Sequence, residues 1–116
     1  MKFLIVDDNP DWRRYVARTL QNHVCSECEN GSSAVQAYEQ HKPDWVLMDF
    51  EMPGLDGLSA ARAIKARFPE ARIAMVSQHL DQELVARAAS CNINYFIRKD
   101  ELWRVEELAE YSPGLD

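Results

Sequence analysis

The chain alternates between five short strand-like runs and five longer stretches with helical spacing. The runs are Phe3-Leu4-Ile5-Val6, Val24 to Cys28, Trp45-Val46-Leu47-Met48, Ile73-Ala74-Met75-Val76 and Ile93 to Arg98. Apolar runs of this length, bounded by turn residues, read as strands buried on both faces. Between them, apolar residues recur every three or four positions. Trp12, Tyr15, Val16, Thr19 and Leu20 mark one face of a first helix, which Asn9 can cap and Pro10 can open. After the Asn30-Gly31 turn, Ser32 or Ser33 can cap a second helix carrying Ala34, Val35, Ala37 and Tyr38. Leu58, Ala61, Ile64 and Phe68 mark a third, stopped by Pro69. A fourth is expected from about Asp81 to Ser90, with Leu84, Val85 and Ala88 in the core, ending where Asn92 suits a left-handed turn. The last is expected from about Glu101 to Tyr111, with Leu102, Val105, Leu108 and Ala109 facing inward.

Strand and helix thus alternate five times with short connections. Right-handed crossovers then imply an α/β fold: a doubly wound five-stranded parallel sheet, flavodoxin-like order 2-1-3-4-5, with helices on both faces. A length of 116 residues suits one domain. Its expected span is 1–111, and Ser112-Pro113-Gly114 reads as a C-terminal tail or the start of a linker over 112–116.

Composition narrows the function classes. The net charge is −6 and no block of Lys or Arg occurs, which argues against direct nucleic-acid binding by this segment. No apolar run approaches membrane-spanning length, and Met1-Lys2 leads straight into a strand, so a cytoplasmic protein without a signal peptide is expected. Cys25 and Cys28 have a C-x-x-C spacing. They sit in a strand, where residues three apart point to opposite faces, so a zinc or redox pair is disfavoured and Cys28 reads as a small core residue. Cys91 reads as structural.

The chemistry collects at the strands' carboxyl ends: Asp7 and Asp8 after the first, Asp49 after the third, Ser77 after the fourth, Lys99 after the fifth. The first and third strands are neighbours at the topological switch point, which places three carboxylates in one crevice. Their repulsion disfavours full ionisation unless a cation meets them. A hard divalent ion with oxygen ligands suits such a site, Mg²⁺ above all. Asp8, Asp49 and the backbone carbonyl of Glu51 would bind it directly, and Asp7 through a water. Helix capping alone explains one aspartate after the first strand, not two.

In these features the sequence resembles the receiver domains of two-component response regulators. The resemblance covers essentially the whole chain. It rests on Val6-Asp7-Asp8-Asn9-Pro10, on Pro43-Asp44-Trp45-Val46-Leu47-Met48-Asp49 continuing through Met52-Pro53-Gly54-Leu55-Asp56-Gly57, on Ser77, and on Lys99-Asp100. The resemblance implies that Asp49 is the phosphoryl acceptor, taking the group from a sensor histidine kinase or phosphotransfer protein. It implies that Lys99 supplies a cation and that Ser77 gives its hydroxyl to a phosphoryl oxygen. The domain would not be an enzyme in the ordinary sense, since it would catalyse only its own phosphorylation and dephosphorylation.

The aromatic switch position three before the lysine would be Phe96, which lacks a hydroxyl and can only pack; counting from Arg98 gives Tyr95. Gln78 stands where the family usually has a small residue. Glu51 and His79 flank the route of hydrolytic water and are expected to tune phosphoryl lifetime. The signal would pass through the face of helix 4, strand 5 and helix 5 to a downstream effector or output domain. Tyr95 and Trp103 are expected as a partner patch on that face. A homodimer is compatible with this reading. Two rivals are a phosphatase of the haloacid-dehalogenase type and a receiver-like adaptor that never takes phosphate. The first wants an Asp where Glu51 stands; the intact set of Asp7, Asp8, Asp49, Ser77 and Lys99 argues against the second.

Overall fold

In the computed structural model the residues described are 1–110. The expected tail over 112–116 therefore lies outside the described residues. Five parallel strands form one sheet in the order β2-β1-β3-β4-β5: β1 Lys2–Val6, β2 Val24–Cys28, β3 Trp45–Asp49, β4 Ile73–Ser77 and β5 Tyr95–Arg98. The helices are α1 Pro10–Thr19, α2 Ala34–His41, α3 Gly57–Arg67, α4 Gln82–Ala89 and α5 Val105–Glu110. This is the doubly wound arrangement expected from the alternation.

The period of two along each strand sorts the core into two layers. Leu4, Val6, Val46, Met48, Ile73 and Met75 pack against α2, α3 and α4. Phe3, Ile5, Trp45, Leu47, Ala74, Val76 and Ile97 pack against α1 and α5. Strand β3, between β1 and β4, is buried at all five positions. Burial of each large side chain there contributes about 1.5–3 kcal/mol, and β4 beside it is buried as completely. Cys28 lies in the first layer and Cys25 borders the second, on opposite faces as the strand period requires.

The loops obey local chemistry. Asn9 Oδ1 accepts from the amides of Asp11 and Trp12 and so caps α1. Asp56 and Asp81 cap α3 and α4 through the amides of Ser59 and Leu84. Asn92 does adopt a left-handed backbone, with φ of 63°.

Several local expectations are corrected. Neither serine caps α2: the Ser33 side chain makes no capping bond, and Asn30 Oδ1 instead accepts from the Ser33 amide and the Ser32 hydroxyl. Tyr15 and Val85 are exposed, because a helix lying on a sheet buries a narrower stripe than its apolar residues span. Strand β5 begins at Tyr95 rather than Ile93, since the left-handed turn at Asn92 delays entry into the sheet. The last helix is broken: a 3₁₀ segment runs Lys99–Arg104, its backbone leaves helical values at Glu101 (φ −121°, ψ 41°), and α5 begins only at Val105.

Candidate functional site

The site is the rim formed by the carboxyl ends of β1, β3, β4 and β5. Asp7 follows β1 and Asp49 ends β3; both are buried, whereas Asp8 is exposed. One carboxylate oxygen from each of the three lies within 4.8 Å of the others. Lys99 reaches back across the rim, with Nζ 3.1 Å from Asp7 Oδ2 and 3.4 Å from Asp49 Oδ1.

Each carboxylate is held by its surroundings. Asp7 Oδ1 accepts from the Asn9 amide at 2.8 Å, so its two oxygens are divided between the α1 cap and Lys99. The Asp7 carbonyl accepts from the Arg13 guanidinium at 2.6 Å, and that guanidinium also pairs with Glu27 at 2.9 Å. Asp49 Oδ1 accepts a long bond of 3.4 Å from the Glu51 amide. The loop after Asp49 is pinned where the Gly57 amide donates to the Phe50 carbonyl at 3.0 Å.

The electrostatics follow from this crowding. Burial first, then the negative charge of Asp7, push the Asp49 carboxyl up to about 6, against the pull of Lys99 and the Glu51 amide. Lys99 loses some proton affinity to burial. The charge of Asp49 and the bond to Asp7 outweigh that loss, and its pKa ends above the ordinary value. The cluster is thus one cation short of neutral. Three hard oxygen donors, one of them open to solvent, fit a small divalent ion such as Mg²⁺.

The other predicted residues are distributed around this centre. Ser77 ends β4 and is buried. Its hydroxyl donates to the His79 carbonyl at 2.9 Å, accepts from the His79 amide at 3.2 Å and lies 3.5 Å from Glu51 Oε1. The Glu51 side chain is exposed. Gln78 and His79, with Arg98, Lys99 and Asp100, line a cavity of about 460 Å³ beside the rim. Phe96 and Tyr95 face opposite sides of the sheet. Phe96 is half-buried against the α2, α3 and α4 layer. Tyr95 is half-buried on the α1 and α5 side, its ring 4.8 Å from that of Trp45. Trp103 is 63 % exposed on the 3₁₀ segment.

Sequence reasoning missed three neighbours of the site. Trp12 counted only as part of the apolar stripe of α1, yet the Lys99 ammonium sits 5.0 Å from its ring centroid. Arg13 drew no attention and Asp56 counted only as part of the loop motif, because a side chain that braces a backbone carbonyl or caps a helix carries no signature of its partner. A cap signal was available for Asp56, an Asp before a helical stretch.

Comparison with known proteins agrees with the geometry. The model of the response regulator receiver domain matches residues 3–111. The chemotaxis protein CheY of Bacillus subtilis is 39% identical over 101 residues, covering 84% of each chain. Among solved structures, the receiver domain of NtrX from Brucella abortus superposes with a TM-score of 0.80 at 32% identity, over 95% of this chain and 99% of that one. The signal receiver domain of the NarL response regulator from Mycobacterium tuberculosis superposes with a TM-score of 0.81 at 28% identity, over 96% and 97%.

Proposed function

This chain belongs to the receiver domain family of two-component response regulators, and from that membership we propose how its own residues do the family's work. Receiver domains are signalling domains that interact with histidine kinases and effector domains. In this one, Asp49 is the acceptor. A carboxylate oxygen of Asp49 attacks the phosphorus of a phosphohistidine. An O–P bond forms, the P–N bond breaks, and the imidazole leaves as the neutral ring after taking up a proton from solvent. An acyl phosphate results.

The observation that carries this reading is Lys99 lying within 3.4 Å of both Asp7 and Asp49 at a rim where three carboxylates converge. Asp8, Asp49 and the Glu51 carbonyl would hold Mg²⁺ directly and Asp7 would hold it through a water. When bound, the ion would offset negative charge on the transferring group. Lys99 offers its ammonium from the opposite side. Ser77 gives up its bond to the His79 carbonyl and donates to a phosphoryl oxygen. Phe96, with no hydroxyl, follows this movement by packing alone. Glu51, Gln78 and His79 border the approach of water and set the lifetime of the acyl phosphate. The donor is a sensor histidine kinase or a phosphotransfer protein in the cytoplasm. The changed face of α4, β5 and α5, with Tyr95 and Trp103, meets the effector or output domain. Among the described residues no helix is long and apolar enough to cross a membrane.

Intact mass after incubation with Mg²⁺ and acetyl phosphate tests the assignment. Wild type should gain one phosphoryl group and Asp49→Asn none. Persistence of the adduct in Asp49→Asn would refute the choice of acceptor. Timing phosphate loss in the Glu51→Ala/His79→Ala double variant tests the tuning role, and an unchanged half-life would remove it.

A further inference from the structure

We propose that Trp12 is a positioning residue for phosphoryl transfer: its indole face holds the Lys99 ammonium over the acidic cluster as a third partner beside Asp7 and Asp49. This rests on the reading of Lys99 and Asp49 given above. The ammonium lies 5.0 Å from the indole centroid, 3.1 Å from Asp7 and 3.4 Å from Asp49. Within about 6 Å, the negative face of an aromatic ring attracts a cation, and indole does so best. The Lys99 side chain is only 18% exposed, so water screens the contact weakly.

Trp12 is placed by the same construction that places Asp7. Its amide donates to Asn9 Oδ1, and the Asn9 amide donates to Asp7 Oδ1, so one chain of hydrogen bonds links the Trp12 backbone, the cap and the carboxylate. The ring edge is braced by Tyr15, whose centroid lies 5.8 Å away at 70°. A lysine carries four rotatable bonds, and freezing them costs conformational entropy. Two carboxylate oxygens fix where the ammonium points, but the Asp49 oxygen belongs to the group that phosphorylation transforms. Among the described residues, the indole is a partner of Lys99 that neither metal binding nor phosphorylation alters chemically. It holds Lys99 at the rim while the Asp49 carboxylate gives way to the phosphoryl oxygens as the anion the ammonium meets.

The test compares wild type, Trp12→Phe and Trp12→Leu in phosphorylation by acetyl phosphate, with Mg²⁺ affinity measured separately. Trp12→Leu keeps an apolar side chain without a π face and should lower the maximal rate about three- to tenfold, with Mg²⁺ affinity within twofold. Trp12→Phe should recover most of the rate. In a Lys99→Ala background, Trp12→Leu should cost nothing further, because the ring then has no ammonium to hold. In a Trp45→Phe/Trp103→Phe background, which leaves Trp12 as the sole tryptophan, emission should rise on Lys99→Ala, since a proton-donating ammonium beside an indole quenches it. Equal rates in wild type and Trp12→Leu, additive losses with Lys99→Ala, or an equal loss in Phe and Leu would each overturn the proposal. Were wild type itself to take no phosphate, the reading of Asp49 would fail, an outcome separate from a phosphorylated wild type with an indifferent Trp12.

Discussion

Asp49 illustrates how a single side chain can be costly to the fold that carries it. Its carboxyl titrates near 6 because it is buried beside Asp7. A folded-state value above the unfolded one means that the native protein binds the proton more tightly. Stability therefore falls as pH rises from about 4 to about 6, and stays lower above that window. With about 1.4 kcal/mol per pKa unit, the ionised form costs the metal-free fold about 3 kcal/mol. We expect Asp49→Asn to be more stable than wild type by about 1–3 kcal/mol in EDTA at pH 7.5, a gap that narrows at pH 4.5. Urea unfolding at both pH values checks this. A destabilised Asn variant at pH 7.5 would show that the Lys99 pairing outweighs burial. The place of Asp49 at the rim was legible in the sequence because an aspartate closing an apolar run is conspicuous. The bracing of Asp7 by Arg13 was not, because a bond to a backbone carbonyl places no demand on residue pattern.

At the scale of elements, the β3–α3 connection shows why one glycine stands where it does. A Cβ at Gly57 would fall 1.9 Å from the Asp49 carbonyl oxygen and 2.8 Å from Phe50 Cα, both backbone atoms that cannot swing aside. Gly57→Ala should lose about 3 kcal/mol and slow phosphorylation by moving the acceptor. Unfolding curves with intact-mass kinetics would settle it, and an unperturbed variant would contradict the close approach. The opposite expectation holds for the 3₁₀ segment. Trp103 is largely exposed, so Trp103→Ala should change stability by less than about 0.5 kcal/mol while weakening effector binding and sparing Asp49 phosphorylation; loss of both would signal misfolding. The strands and most helices followed from periodicity, since a buried parallel sheet leaves its runs nearly free of polar residues. The break at Glu101 did not, for Leu102, Val105 and Leu108 are all buried whether or not the backbone between them stays α-helical. Val85 misled for the related reason that spacing marks a face but not how wide a neighbour covers it.

For the molecule as a whole, an acidic rim that can hold a divalent ion leads us to expect that stability depends on the metal. Mg²⁺ at a hundred times its dissociation constant should stabilise the native state by about 2.7 kcal/mol. Asp8→Asn should remove most of that gain and leave stability in EDTA unchanged or higher, as the exposed Asp8 adds charge to the cluster without an ion pair of its own among the described residues. Urea titrations with and without the metal decide this; a full gain in the variant would exclude Asp8 as a ligand. The bond between Lys99 and Asp7 has a further consequence at this scale. In the order β2-β1-β3-β4-β5 it buckles the second strand position to the last, across the ends of two strands between them. A ribosome delivers Asp7, Asp8 and Asp49 well before Lys99. Until that lysine emerges and β5 docks, the half-made chain holds three acids with no cation of its own to answer them. Completion of the sheet and assembly of the full rim, lysine included, are therefore one event.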